Sequence, residues 1–478
     1  MNVLFLQKDI FAKPSVMALS AILKRAGHRC DVLVDDLEKD ITGKGLDMDP
    51  DIIAFSITTS EHSWMNVTGT AIREKFKGIM VCGGPHPTLY PRIIQDSFLD
   101  ALCRGEGDEA FLEFVNALQE GNDIKKIRNF VVKMDGDLFQ NELRPLIQDL
   151  DRLPFFDRNI YERYSLYRKS TSASLMHKTV RTGRGCPYDC AFCINSSYKQ
   201  IYRNKGKIVR HRSVDNLIEE LSEMARDRDL KFLSFEDDSF TLAPRDWLFD
   251  FLKRYRHEVG IPFKIQTTAR LLDEGTVRAL KEANCYSIRF GIEAGNENYR
   301  NRVLKKKISD EDIFRAARLA KRYGIRLQTF NIMLSPGETL EMCLETYDMN
   351  RKIRPDFAWC SLLNPYPGTE IASYARETDS IETDIDYHDR VHSFFLGSPI
   401  KAENKRKIHN LQKLAYFSIL THLPRRALLF LIGLPLTKLY ALLFGVTFFI
   451  GLYRIDKTSL RELVKLSLGH WIRYLRQG

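Results

Sequence analysis

A short apolar run, Asn2 to Leu6, is followed by a stretch from Ser15 to Ala26 whose apolar positions Val16, Leu19, Ile22 and Leu23 recur at helical spacing. The first reads as a buried strand, the second as an amphipathic helix stopped by Gly27. Strand-length apolar runs return at Cys30–Val34, Asp51–Ser56 and Gly78–Cys82. Strands separated by helices in this way predict an open, doubly wound parallel sheet, Rossmann-like, over residues 1–125. In such sheets the ligand sits beyond the carboxyl ends of the strands. Those ends carry Ser56-Ile57-Thr58-Thr59-Ser60, Gly83-Gly84-Pro85-His86 and Gly105-Glu106-Gly107-Asp108. Small hydroxyl residues and glycines there let a backbone approach a large ligand closely.

Residues 126–174 form a linker, with Phe130–Met134 and Leu138–Phe139 flanking the hairpin signal Asp135-Gly136. The alternation then resumes over residues 175–370. Strands are predicted at His177–Thr182, Phe232–Glu236, Phe263–Thr268, Ser287–Gly291, Leu327–Met333 and Ala358–Leu363, with helices between them such as Val214–Arg226, Thr276–Glu282 and Asp310–Tyr323. Six β/α units of this kind suit a partial (β/α)6 barrel of TIM type, whose active residues gather at the carboxyl ends of the strands. In residues 371–478 the pattern changes again. Asp379 to Asp389 is acidic and polar, and Leu411 to Tyr453 is strongly apolar. Ala427–Leu434 and Leu439–Leu452 are separated by Pro435 and Lys438, and each is shorter than the roughly 20 residues of a spanning helix. Together they could span with a kink, lie as a helical hairpin in one leaflet, or pack buried on the barrel. Arg425, Arg426, Lys438 and Arg454 supply a polar edge, Leu460–Leu475 reads as a basic amphipathic helix, and Trp471 and Tyr474 suit headgroup level. The reading adopted is peripheral contact with a membrane surface.

Composition narrows the class. The 478 residues are 44% hydrophobic, enough for two or three domains with sizeable cores. Nine cysteines in a chain this long do not make a disulfide framework, and a reducing cytoplasm suits them. The amino-terminal MNVLFLQKD has no basic n-region and reads as a strand, not a signal peptide. The net charge of +10 is spread along the chain, with clusters at Lys305-Lys306-Lys307, Lys401 to Lys407 and the carboxyl-terminal tail. With no nucleic-acid motif in view, that charge fits an anionic membrane surface better than a nucleic acid.

The chemistry centres on Cys186-Pro187-Tyr188-Asp189-Cys190-Ala191-Phe192-Cys193, just after Gly183 and Gly185. Three thiolates on one tight loop can converge on a metal centre, and thiolates suit iron–sulfur clusters or zinc. A closed structural zinc site needs four ligands. Here no fourth cysteine follows closely, the next being Cys285. A cubane cluster held by three cysteines leaves one iron open. Glu236-Asp237-Asp238 ends the second barrel strand and Glu293 follows the fourth, both at carboxyl ends. Carboxylates there are also ordinary turn residues. Gln266 and Arg289 lie on neighbouring strands, their facing set by a register the sequence does not show.

These residues bring a family into view. RGCPYDCAFC, with the aromatic Phe192 before its last cysteine, resembles the cluster motif of radical S-adenosylmethionine (SAM) enzymes. Glu293 lies in GIEAG, which resembles the family's GIESG. The turns LSPGE after Met333 and NPYPGT after Leu363 are similar to its GxPGE and PYPGT. GGPHPT and RGEGDEAF resemble the cobalamin-binding domain of one subgroup of the family, and LDRLPF resembles the linker before its core. Together these matches span residues 1–375.

The resemblance implies a [4Fe-4S] cluster on Cys186, Cys190 and Cys193, SAM seated by Phe192, Glu236, Asp237 and Glu293, and cobalamin against Ser56, Thr58, Gly83, Gly84, Gly105 and Glu106. It assigns no further catalytic residue. Many cobalamin domains carry Asp-x-His-x-x-Gly after the first strand, whereas Gln7-Lys8-Asp9-Ile10-Phe11-Ala12 has no histidine. Cobalamin would then bind without a protein imidazole. His86 is the nearest substitute and reads instead as a loop histidine following a strand. The implied reaction is hydrogen abstraction by a 5′-deoxyadenosyl radical, then C-methylation from methylcobalamin. An apolar tail beside such a core points to a hydrophobic, lipid-like substrate, with electrons from a flavodoxin- or ferredoxin-type donor. Two other outcomes fit: cobalamin-independent carbon–carbon bond formation, cyclisation or rearrangement, and a non-catalytic membrane-associated metal protein.

Overall fold

The computed structural model describes residues 1–95, 97–168, 178–382 and 393–456. His177, residues 383–389 of the acidic loop, the helix predicted over Leu460–Leu475, Trp471 and Tyr474 lie outside these described residues. The first sheet takes in β1 (Asn2–Gln7), β2 (Arg29–Val34), β3 (Ile52–Ser56), β4 (Ile79–Gly83) and β5 (Ala101–Cys103). It continues through β6 (Phe130–Met134) and β7 (Asp137–Gln140) in the order β2-β1-β3-β4-β5-β6-β7. The first five strands are parallel and the last two antiparallel. Helix α1 (Pro14–Arg25) and helix α2 (Asp108–Glu120) pack on one face through Val16, Met17, Phe111 and Phe114. The hairpin expected within the linker therefore completes this sheet.

β8 (Thr179–Val180) opens the second unit and is shorter than the strand predicted from His177 to Thr182. Next come a two-stranded ribbon of β9 (Gly183–Arg184) and β10 (Arg210–His211), with α3 (Ile194–Ile201) between them. β11 (Leu233–Phe235), β12 (Phe263–Thr267), β13 (Cys285–Glu293), β14 (Arg326–Met333) and β15 (Phe357–Leu362) join β8 in an all-parallel sheet ordered β15-β14-β13-β12-β11-β8. Leu233, Phe235, Ile265, Ile288, Phe290 and Leu327 pack outward against the helices. Their alternates, in register as Ser234–Lys264, Lys264–Ser287, Gln266–Arg289, Arg289–Gln328 and Phe330–Trp359, face the concave side. Gln266 and Arg289 thus point into the barrel.

The carboxyl-terminal apolar region forms α4 (Lys405–Leu420), α5 (Arg425–Gly433) and α6 (Thr437–Asp456), with Pro435 between the last two. α4 lies along edge strand β15, where Gln412 Nε2 donates to the Cys360 carbonyl at 2.8 Å. α6 runs over the concave side. Phe448 meets Phe357 and Trp359 at ring separations of 5.5 and 5.0 Å. Lys264 Nζ meets Asp456 Oδ1 at 2.8 Å, and Ser287 Oγ donates to the Ile455 carbonyl at 3.0 Å. α4 thereby covers the edge strand β15, and α6 covers the amino-terminal ends of β12, β13 and β15 from the concave side. The inside is polar toward β11–β13 and aromatic toward β14, β15 and α6.

Candidate active site between the two domains

The cysteine loop leaves the ribbon at Gly185 and is pinned by backbone hydrogen bonds. The Ala191 amide donates to the Leu304 carbonyl at 3.0 Å, and the Ile371 amide donates to the Ala191 carbonyl at 2.9 Å. Cys186, Cys190 and Cys193 are all free thiols. Burial pushes the Cys186 and Cys193 thiols up to about 11 and about 12, so metal binding would release their protons. Among the described residues no three His, Cys, Asp or Glu side chains gather around a point as one ion requires. A cubane spreads its irons over separate corners, so its three thiolates need not meet there. A partly buried cation stands beside them: Lys306 Nζ lies 2.7 Å from Glu293 Oε1 and 5.8 Å from the centre of the Phe192 ring. Glu293 is 5% exposed with φ of 66°, a backbone turn that brings its carboxylate back under the loop. Lys306, from the Lys305–Lys307 run, stands in the candidate site although the sequence reading gave it no role. The run's charge was visible, but its position against the loop was not.

The three acids after β11 divide. Glu236 points into the barrel, where Arg289 donates to it at 2.9 Å. Burial opposes its ionisation, but Arg289 and Lys264 hold its carboxyl below the usual range. Asp237 turns the other way. Its Oδ1 accepts from the Thr182 and Gly183 amides, both at 2.8 Å, and so fixes the approach to the cysteine loop. Burial raises its carboxyl to about 7, and its Oδ2 has no partner among the described residues. Asp238, named in the acidic run but not among the expected SAM residues, holds the Gly185 amide at 3.1 Å and Asn195 Nδ2 at 2.8 Å.

Between the domains lies a cavity of about 480 Å³. Its apolar lining comes from Phe5, Ala54, Val81 and Cys103 on the strands of the first sheet and from Leu19 and Phe111 on the helices packed against them. Ser56, Thr58, Gly83, Gly84, Gly105 and Glu106 all line it, and α3 supplies Ile194, Asn195 and Tyr198 opposite, directly after Cys193. A flat aromatic base suits the apolar lining, and an amide-fringed macrocycle suits the polar one. Two of the predicted residues also serve the protein itself. A side chain on Gly105, at φ of 75°, would meet the Tyr202 hydroxyl at 1.8 Å, so glycine here admits the tyrosine. Glu106 pairs with Arg210 at 2.8 and 3.1 Å, beside the bidentate pair of Arg184 with Asp108 at 2.8 and 2.9 Å. Arg184 and Arg210 are neighbours across the β9–β10 ribbon, so a double clamp locks the two domains around the cavity. Among the described residues lining the cavity there is no histidine. His86 is buried, with Nδ1 3.2 Å from Thr59 Oγ1 and its ring 4.7 Å from that of His62. Lys13, which does line the cavity, is tied to the Ser56 carbonyl and to Glu61.

The chain matches the radical SAM superfamily over residues 180–349 and the B12 binding domain over residues 10–115. It is 30% identical over 375 residues to an uncharacterized methyltransferase of Pyrococcus horikoshii, covering 76% of this chain and 78% of that one. It is 26% identical over 372 residues to the anaerobic magnesium-protoporphyrin IX monomethyl ester cyclase of Rubrivivax gelatinosus, covering 74% of this chain and 65% of the cyclase. Its fold matches that of the radical SAM methyltransferase TsrM from Kitasatospora setae, solved with cobalamin and a [4Fe-4S] cluster. The TM-score is 0.65 at 17% identity, over 83% of this chain and 82% of that one. The protein belongs to the radical SAM enzymes that carry a B12-binding domain. Membership brings a [4Fe-4S] cluster and SAM to the barrel and cobalamin to the first domain, and the three thiols, the Glu293–Lys306 pair and the interdomain cavity fit those groups.

Proposed function

We propose that the enzyme is a cobalamin-dependent C-methyltransferase acting on a hydrophobic, lipid-like substrate. The observation that carries this reading is the cavity between the domains, walled by the helix that begins at the last cluster cysteine. A methyl donor held there lies next to the barrel mouth. When bound, the family's cofactors supply a hydrogen-abstracting carbon radical and a transferable methyl group. The chain's own residues do the rest. Cys186, Cys190 and Cys193 hold the cluster. Glu293 and Lys306 offer opposite charges to the amino and carboxylate groups of SAM beside Phe192. Asp237 and Asp238 brace the loop.

The aromatic side of the barrel, Phe330, Trp359, Phe395 and Phe448, supports an apolar substrate body and keeps water from the reacting carbon. Glu236 and Arg289 on the opposite side orient its polar end. A substrate of this kind is met at a membrane surface. Exposed Lys307 and half-exposed Lys199 beside the cysteine loop suit an acidic flavodoxin- or ferredoxin-type reductant.

The test is anaerobic reconstitution with iron, sulfide and hydroxocobalamin, then incubation with methyl-labelled SAM and membrane lipid extract. Cobalt retained by the chain, 5′-deoxyadenosine formed and label entering an extractable product together support the reading. A chain that makes 5′-deoxyadenosine but retains no cobalt and transfers no label has a cobalamin-independent chemistry. That second reading, ring formation or rearrangement, is favoured by the similarity to a cyclase.

A further inference from the structure

Eleven large hydrophobic residues are exposed among the described residues, and eight of them lie between Leu429 and Tyr453. Single exposed apolar residues are ordinary, but a contiguous set marks an interaction face. On α6 the set is Leu439, Leu442, Val446, Ile450 and Tyr453, at spacings of three and four that place them on one side of the helix. Phe430 of α5 is the most exposed of the hairpin at 68%. The opposite side of α6, with Tyr440, Thr447, Gly451 and Ile455, is buried against the barrel.

The charge of this face has one sign. From Thr421 to Ile455 there is no Asp or Glu, whereas Arg425, Arg426, Lys438 and Arg454 are present. Arg425 is committed to the barrel through Asp348 and Glu341. Arg426, Lys438 and Arg454 are exposed beside the apolar stripe. An apolar stripe edged by cations and free of acids complements an anionic phospholipid leaflet.

α6 is long and apolar enough to cross a membrane by length and composition. Its anchoring argues against crossing. Asp456 is paired with Lys264 inside the barrel, the Ile455 carbonyl accepts from Ser287, and Gly451 lies against the Phe357 ring. A helix committed along one side and at its end to a folded barrel can offer lipid only its other side. We propose that the outer face of α5 and α6 is a docking surface for one anionic phospholipid leaflet, on which α6 lies in the plane of the interface. Docking of this kind brings the barrel to where a lipid-like substrate is found. It rests on the reading above only for that consequence and can fail or hold independently.

The experiment is flotation of the full-length, cluster-loaded enzyme with phosphatidylcholine vesicles made with and without phosphatidylglycerol. The wild type is expected to float with the anionic vesicles. The combined substitutions Leu442→Gln, Val446→Gln and Ile450→Gln should reduce the floated fraction about tenfold, while iron content and SAM cleavage to 5′-deoxyadenosine stay at wild-type levels. The combination Arg426→Gln, Lys438→Gln and Arg454→Gln should abolish the preference for anionic vesicles, and it keeps the proposal testable if the apolar variant loses its cluster. A wild type that stays unbound with both vesicle types overturns the proposal, as does an apolar variant that keeps its cluster and floats as well as the wild type. A wild-type dimer that becomes a monomer in the apolar variant, without vesicle binding in either, assigns the face to a second copy instead. Loss of methyl transfer with flotation intact would count against the proposed reaction and leave the docking surface standing.

Discussion

Lys306 is partly buried, with a carboxylate on one side and the cysteine loop on the other. Burial opposes its charge, but Glu293 and the neighbouring thiols hold it protonated. Removing the ammonium alone would strand Glu293, so the informative variant is Lys306→Met with Glu293→Gln. It should weaken SAM binding about tenfold, or roughly 1.4 kcal/mol. Equilibrium dialysis of labelled SAM against cluster-loaded enzyme checks this, with iron content unchanged. Lys413 is a contrasting case. It is 3% exposed, and its Nζ donates to the Phe395 carbonyl at 3.0 Å. Burial alone pulls it from 10.5 down to about 8. The native state therefore binds fewer protons than the unfolded chain between those values, and stability rises with pH through that window. Below it the full penalty, on the order of 3 kcal/mol, is present. Lys413→Met should raise the thermal midpoint at neutral pH, and the gain should shrink as the pH approaches the ordinary lysine value. A gain that does not change with pH would refute the desolvation account.

Among the elements, the β9–β10 ribbon couples the two cofactor sites. Arg210 is 5% exposed in its side chain and bidentate to Glu106, so truncating it leaves a partly buried carboxylate with only the longer 3.4 Å contact to Arg184. Stranding a buried charge fully costs about 3–5 kcal/mol, and the Arg184 contact holds the loss below that. Arg210→Met should lower the thermal midpoint and the cobalt retained per chain, and Arg210→Met with Glu106→Gln should recover part of both. Equal losses in the single and double variants would mean the pair is not what holds the domains. The clamp also shows where legibility ends. Strand and helix positions were readable because apolar periodicity is local, and most of the predicted strands appear within a residue or two of their expected bounds. The cysteine loop was readable from its spacing and its neighbouring glycines. Partnership was not. Nothing in Glu106 or Arg210 indicates that they meet, nothing in Phe130–Gln140 says which sheet the hairpin joins, and Asp237 and Asp238 look alike until the backbone turns one toward Thr182 and the other toward Asn195. These depend on contacts across dozens of residues, which periodicity does not encode.

At the scale of the whole molecule, the carboxyl-terminal helices are part of the barrel as well as a surface. α4 covers the edge strand through Gln412, and α6 covers the concave side with Phe448 on the aromatic side and Asp456 on the polar side. Composition alone left open whether the apolar tail spans a membrane, lies in one leaflet or packs on the barrel. The packing makes one side of it part of the barrel. Deleting residues 437–478 removes Asp456 and strands Lys264, 8% exposed in its side chain, with an unpaired charge inside the barrel. It also uncovers Phe357 and Trp359. Each loss is large on its own, since an unpaired buried charge costs about 3–5 kcal/mol. The truncated chain should therefore lose cluster content and aggregate, in detergent as well as in its absence. Adding Lys264→Met to the truncation should recover part of its solubility by removing the stranded charge. Gel filtration and iron analysis of the two truncated chains provide the measurement. A truncated enzyme that stays monomeric and keeps its full iron would mean that the barrel is complete without α6. The buried Lys264–Asp456 pair would then be a contact of the tail alone, with no part in holding the reaction chamber shut.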